Sequence, residues 1–206
     1  MSTLVLACTK GKIGTTEYYS AQMDLKTLLS STSLAQETDE WLTLGVQERY
    51  QREIADTRIR KEIAPYFAFD DDRFVGSFVI ALNNPEVFKF QSVANITGVN
   101  LEDDVVSPSA LIELDKVGIL TIHGGRLVII DGQHRRKGLE LAFNAKFNKD
   151  EIIHTWHGNT EDIGDFENDL FNVIIVKTEE KGVIRKIFNN INKHARKTAK
   201  KDDIIT

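Results

Sequence analysis

The 206-residue chain holds one cysteine and three prolines. A lone thiol cannot form an internal disulfide, which suits a reducing compartment, and Cys8 reads as a small buried hydrophobe of a first strand rather than a catalytic thiol. No run approaches the ~20 consecutive apolar residues that a membrane span requires. The start MSTLVLACTKGK has neither the basic opening nor the cleavage site of a secretory signal. A cytoplasmic protein that meets no membrane is expected. Low-complexity tracts, internal repeats and linker-like stretches are also missing, so residues 1–206 are expected to form one domain. Neither a G-x-x-x-x-G-K-[ST] phosphate loop nor a G-x-S-x-G nucleophile elbow occurs. An excess of positive charge is missing too: the formal net charge is −5, which counts against a general nucleic-acid coat protein.

With 41% hydrophobic and 28% charged residues, the composition is that of an ordinary globular chain. The pattern reads as mixed α/β. Residues 3–9 and 15–23 look like short strands separated by the glycines of KGKIG, and DLKTLLSS like a short helix with Asp24 as its N-cap. Segments 38–50 and 56–67 carry apolar residues near helical spacing. FVGSFVIAL, 74–82, is continuous enough in its hydrophobicity to be a strand buried on both faces, ended by Asn83-Asn84-Pro85. Residues 86–110 read as a polar surface excursion. ILTIH and RLVIID flank Gly124-Gly125, a pair suited to closing a β-hairpin. A helix over 133–147, a loop over 148–167 and a strand over 171–178 follow. Thr178 then caps a helix with Ile184, Ile187, Phe188 and Ile191 on one face.

The chemistry concentrates in VIIDGQHRRKGLELA, where an oily strand ends in Asp-Gly and opens a helix. Such a corner turns backbone N–H groups outward at the positive end of a helix dipole, which makes an anion seat. Gly132 lets a ligand approach the backbone, while Arg135 and Arg136 carry forked donors matched to phosphate. Asp131 suits an accompanying divalent cation, or fixes the tautomer of His134. The plainer reading is an ordinary turn with solvated arginines and Asp131 as N-cap. Gly138, a helix-interior glycine, favours something packing closely.

A second cluster, IFNNINKHARKTAKK, sets Asn189, Asn190, Asn192, Lys193 and His194 at a helix C-terminus. If the strand before it runs parallel to the one feeding the corner, both clusters meet one ligand. From Lys181 to Lys201 there are eight Lys/Arg residues and no acid, a basic pole on an acidic body that suits a polyanion. His154 and His157, near Asp162 and Asp165, make a poor metal signature. Trp41 and Trp156 could stack on bases, although Trp41 lies in a helix with apolar neighbours and reads as core.

DGQHR, 131–135, together with TTEYYSAQMDLKTL, VQERYQREIADTRIRKEIAPYF and IFNNINKHARKTAK, resembles the DGQHR-domain proteins. These include the DndB family of DNA phosphorothioation systems, and the resemblance covers nearly the whole chain. It implies a ParB/sulfiredoxin-like α/β fold, a small mixed sheet flanked by helices, which binds nucleotide phosphates at this corner. Gln133 stands where sulfiredoxins carry a cysteine, which argues against reductive sulfur chemistry. Asn189, Asn190 and Lys193 stand where ParB proteins carry Glu, Asn and Arg, so the amide that faces the metal is kept and the acid is lost. Proteins of this family usually continue past the point where KKDDIIT ends, so a truncated or minimal member is expected.

The leading expectation is a nucleotide-responsive DNA-binding accessory or transcriptional regulator of a DNA-modification or defence system. A nucleoside triphosphate, ATP or CTP, with Mg²⁺ is expected at Gly132, Gln133, His134, Arg135, Arg136, Asn190 and Lys193, with Asp131 and Asn190 near the metal. Arg196, Lys197, Lys200 and Lys201 are expected to meet DNA. The alternative is an NTPase or metal-dependent nuclease with Asp131 and His134 as catalytic groups. Partner proteins of a modification system and a homo-oligomer remain open.

Overall fold

The computed structural model describes residues 3–37, 56–97, 107–147, 156, 163–178, 186–187 and 190–191. Among them an eight-stranded mixed sheet has the order β3-β7-β4-β8-β2-β1-β6-β5, with helices packed on it, so the mixed α/β expectation holds. β1 (Leu4–Ile13) and β2 (Thr16–Asp24) form a hairpin that runs straight through Gly11. The Asp24 carboxylate accepts a 2.7 Å bond from the Thr27 N–H and caps α1 (Leu25–Ser31), as its position predicts. β3 (Thr32–Leu34) follows directly.

Residues 56–69 form one helix, α2, with a π turn at Ile59–Ile63 between α-helical Asp56–Arg58 and Ala64–Phe69. Pro65 explains the irregularity, because it has no N–H to offer the preceding turn. The Ala64 N–H reaches back to the Ile59 carbonyl, and the carbonyl of Arg60 is taken instead by the Trp156 indole N–H at 2.7 Å. Trp156 is therefore a core residue, set edge-on to Phe69. The helix expected over 38–50, Trp41 included, lies outside the described residues, as do His154, His157 and Asp162.

Two expectations about the sheet are corrected. Gly124 and Gly125 do take positive φ, 65° and 74°, but β6 (Val117–His123) and β7 (Arg126–Asp131) do not pair with each other. β6 pairs with β1 and β5, and β7 with β3 and β4. β4 (Phe78–Asn83) and β5 (Val87–Ser92) together lie antiparallel to β6 and β7, forming one long ribbon that bends at Asn84-Pro85 opposite the two glycines. Asn84 also takes positive φ, 47°, and a Cβ at Gly125 would stand 2.6 Å from the Asn83 carbonyl oxygen. Both strands therefore turn the same corner, as strands do when they pass from one sheet wall to another. The bend rolls the sheet, so that Phe88 and Phe90 of β5 pack on Tyr19 of β2 at 5.2 and 5.6 Å. The rolled interior holds Cys8, whose thiol burial pushes up to about 11, a protonated and unreactive group at neutral pH.

The second correction concerns β8 (Leu170–Lys177). It runs parallel to β4, which is antiparallel to β7, so β8 opposes the strand that feeds the corner. Residues 86–97 and 107–110, expected as part of a polar surface excursion, are regular secondary structure for the most part. Phe88 and Phe90 alternate with exposed Lys89 and Gln91 in β5, followed by α3 (Val93–Thr97), and α4 (Pro108–Leu114) starts behind a Ser107 cap.

The long helix α5 (Gln133–Ala145) buries Leu139, Ala142 and Ala145 against α2 and the sheet. Gly138 is needed for this contact, not for a ligand: a Cβ there would stand 2.5 Å from Ile63 Cγ2 and 3.4 Å from the Ala64 nitrogen. Gly138→Ala is expected to destabilise by about 1–2 kcal/mol despite the gain in helix propensity, because the β-branched neighbour has little freedom to withdraw. Thermal unfolding checks this, and an unchanged or raised midpoint would show that α2 gives way.

Candidate functional site: the strand-to-helix corner

β7 buries Ile129 and Ile130 on opposite faces of the sheet and leaves Asp131 at the rim, paired with Val79 across a register shift. Gly132 then takes φ 96°, ψ 12° as the N-cap of α5, and as a glycine it has no side chain with which to cap the helix. A Cβ at Gly132 would sit 2.6 Å from Phe78 Cδ1 and 3.1 Å from Arg135 Nη2. The close neighbour that demands glycine is thus the protein's own aromatic ring. Asp131 is not the N-cap that the plainer reading made it.

Arg135 folds back over the corner. It donates to the Asp131 carboxylate at 3.1 Å, to the Ser77 carbonyl at 3.2 Å and to the Gly76 carbonyl, with its guanidinium 5.0 Å from the Phe78 ring centre. This accounts for where β4 begins. The strand expected from Phe74 forms only from Phe78, since the carbonyls of Gly76 and Ser77 serve the arginine. The side chains of Arg135 and Asp131 remain 25% and 35% exposed, so the ion pair is reachable from solvent.

Arg136 has a different place. It is 6% exposed and donates to the carbonyls of Leu29 and Thr32, each at 3.1 Å, and to Glu140 at 3.2 Å. The carbonyls at the end of α1 thereby gain a cationic partner, and α5 is tied to the α1–β3 junction. Among the described residues its Nε finds no hydrogen-bond partner. Adjacent arginines on a helix diverge by about 100°, which is why one reaches the corner and the other the interior.

Gln133, at the first position of α5, is 7% exposed. His134 is half-buried in the same first turn. Ile187, like Val79, packs against the cluster of Ala81 and Ile130, and Asn190 follows it, helical and exposed. Thr178 at the end of β8 donates its N–H to the Leu82 carbonyl at 3.2 Å, and Leu82 lies opposite Leu127 at the start of β7, so β8 leaves the sheet at the end away from the corner. Asn189, Asn192, Lys193, His194, Arg196, Lys197, Lys200 and Lys201 lie outside the described residues.

Among the described residues no group of three or more His, Cys, Asp or Glu could hold a metal ion. One carboxylate at the rim fits a Mg²⁺ held mainly by phosphate oxygens, the usual arrangement when that ion arrives with a nucleotide, and does not fit a protein-made cage. The corner residues that sequence reading missed are Phe78, Gly76 and Ser77. They read as plain strand, and only the four-residue spacing of Asp131 and Arg135 hinted at the fold-back.

Fold and corner together define a mixed α/β fold in which a strand, a left-handed glycine at the N-cap and a helix start form a partly exposed mouth that carries the Arg135–Asp131 ion pair. A protein-family model described as DndB, DNA-sulfur modification-associated, matches residues 6–201. The chain belongs to the DndB family, which is associated with DNA phosphorothioation systems. Comparison with curated proteins and comparison with solved structures each return no match.

Proposed function

We propose that this chain is a nucleotide-responsive, DNA-binding accessory or transcriptional regulator of a phosphorothioation-type DNA-modification system. The observation that carries the nucleotide half is the mouth of α5: a helix start with glycine at its N-cap, flanked by a partly exposed Arg135–Asp131 pair. Partly exposed ion pairs of this kind contribute a fraction of a kcal/mol, so phosphate competes well for the guanidinium. In this reading the amides of the first turn of α5 bind phosphate oxygens, and Arg135 transfers its donors from Asp131 to the phosphate. Asp131 is then left to hold Mg²⁺ with Asn190, while His134 orients an oxygen and Lys193 adds charge. Arg136 supports the site by fixing α5. Exchange of Arg135 between carboxylate and phosphate also loosens its hold on Gly76 and Ser77, giving the nucleotide a structural consequence. The basic residues Arg196, Lys197, Lys200 and Lys201 meet DNA.

A thermal-shift panel of ATP, CTP, GTP and ADP with Mg²⁺ tests this. A triphosphate at about a hundred times its Kd adds ~2.7 kcal/mol, which for a chain of this size raises the melting temperature by about 5–10 °C. The Arg135→Gln variant is expected to lose most of that rise. If no nucleotide moves the wild-type midpoint, the nucleotide half fails. Phosphate release that Asp131→Ala and His134→Ala abolish, with DNA affinity kept, would make the chain an NTPase instead.

A further inference from the structure

We propose that the tip of the β1–β2 hairpin is a groove-entering DNA ribbon, in which Ile13 contacts base edges while Lys10 and Lys12 meet the flanking phosphates. β1 pairs with β6 only as far as Thr9↔Val117, and β2 pairs with β8 only from Tyr19↔Ile175. The Lys10 N–H still reaches the Lys116 carbonyl at 2.6 Å, and beyond it β1 continues with β2 through Gly11↔Tyr18, Lys12↔Glu17 and Ile13↔Thr16. Three residues, Gly11 to Ile13, at ~3.3 Å each carry the tip roughly 10 Å past the last bond between β1 and the β6 side. Isolated two-stranded ribbons are marginal in water, yet this one presents Ile13 at 73% exposure, and Gly14 in the turn has nothing within 4 Å of its Cβ position. At the end of the ribbon and flanked by two lysines, Ile13 is placed to meet a partner's surface.

Strand alternation sorts the tip into two faces. Ile13, Thr16 and Tyr18 share one, with the Tyr18 ring lying over Gly11 and leaving no room there for a Cβ. Lys10 and Lys12 share the other with Glu17, the single acid between residues 10 and 18. Lys10 lies 3.1 Å from Glu17, and both are solvent-exposed enough to exchange that pair for phosphate. A two-stranded ribbon fits the major groove of B-DNA, about 12 Å wide, with apolar side chains against thymine methyls and cations along the backbone. Charge complementarity selects the partner: on a body of net charge −5, DNA must be met at local cationic features such as this tip. The hairpin lies inside the segment that places the chain in a family associated with DNA-sulfur modification.

This inference rests on the DNA-binding half of the function proposed above. The test is fluorescence anisotropy of a mixed-sequence duplex about two helical turns long, titrated at several salt concentrations. Ile13→Asp is expected to weaken binding about tenfold without moving the melting temperature, and Ile13→Leu to restore it. Lys12→Gln is expected to lower the slope of log affinity against log salt by about 1. A wild-type protein that binds while both ribbon variants match it would overturn the ribbon and leave the basic tail as the contact. A wild-type protein that binds no duplex would overturn both.

Discussion

Gly132→Val is expected to destabilise the protein by about 3–5 kcal/mol and to lower its melting temperature by about 10 °C or more. Two penalties coincide. A β-branched residue at φ 96° is in a region that side chains avoid, at a cost of about 1–3 kcal/mol. Its Cβ would also stand 2.6 Å from the Phe78 ring, which is fully buried and cannot move aside, and overpacking of this kind adds about 1–3 kcal/mol. Gly132→Ala suffers the same backbone strain and the same Cβ clash but is spared the branched methyls, so its loss is smaller. Chemical denaturation of the two variants measures the effect. If valine is tolerated within ~1 kcal/mol, the corner re-forms without the left-handed turn and the helix start is not fixed by position 132.

Arg136→Ala is expected to cost about 3–5 kcal/mol, which for a chain of this length brings the folded state close to its limit. The substitution strips the carbonyls of Leu29 and Thr32 of their cationic donor and leaves Glu140 with Lys137 alone. Each buried acceptor left unpaired costs about 1–3 kcal/mol, and the emptied side-chain volume adds to the loss. Lysine at 136 supplies a charge but no fork to span both carbonyls, so Arg136→Lys is expected to recover part of the stability and no more. Arg135→Ala forms the contrast, with a loss of about 1–2 kcal/mol, since its side chain is partly solvated. Equal losses for the two arginines would contradict the division of labour between them.

The local features of this fold were legible from the residues. Asp24 as a cap, the buried β4 and β8, the start of α5 at Gln133 and the buried character of Cys8 follow from propensity, periodicity and burial, which are properties of short windows. What was not legible depends on partners far away in sequence. Gly124 and Gly125 have the dihedrals of a tight turn, but whether such a pair closes a hairpin or bends a ribbon depends on β4 and β5 lying opposite. The direction of β8 followed from β4 inserting between it and β7. Phe88 and Phe90 carried a strand signal that the polar residues after them obscured.

The same limit applied at the corner. Sequence spacing placed Asp131, Gly132 and Arg135 together correctly, because strand, turn and first helical turn are contiguous. It could not show that Phe78 and the carbonyls of Gly76 and Ser77, more than fifty residues earlier, complete the corner. Nor could it separate Arg135 from Arg136, whose different surroundings come from α1 and β3 on one side and β4 on the other. Gly138 announced a close approach, and the approaching group proved to be α2.

The account stands on phosphate being gripped at the mouth of α5, and an amide NMR titration with ATP and CTP in the presence of Mg²⁺ tests it most directly. The largest saturable shifts are expected at the backbone N–H groups of Gly132, Gln133, His134 and Arg135, accompanied by the Arg135 side-chain Nε–H, which senses the guanidinium as Nη2 leaves Asp131. Saturating nucleotide that leaves those five resonances in place, with shifts elsewhere or nowhere, would contradict it.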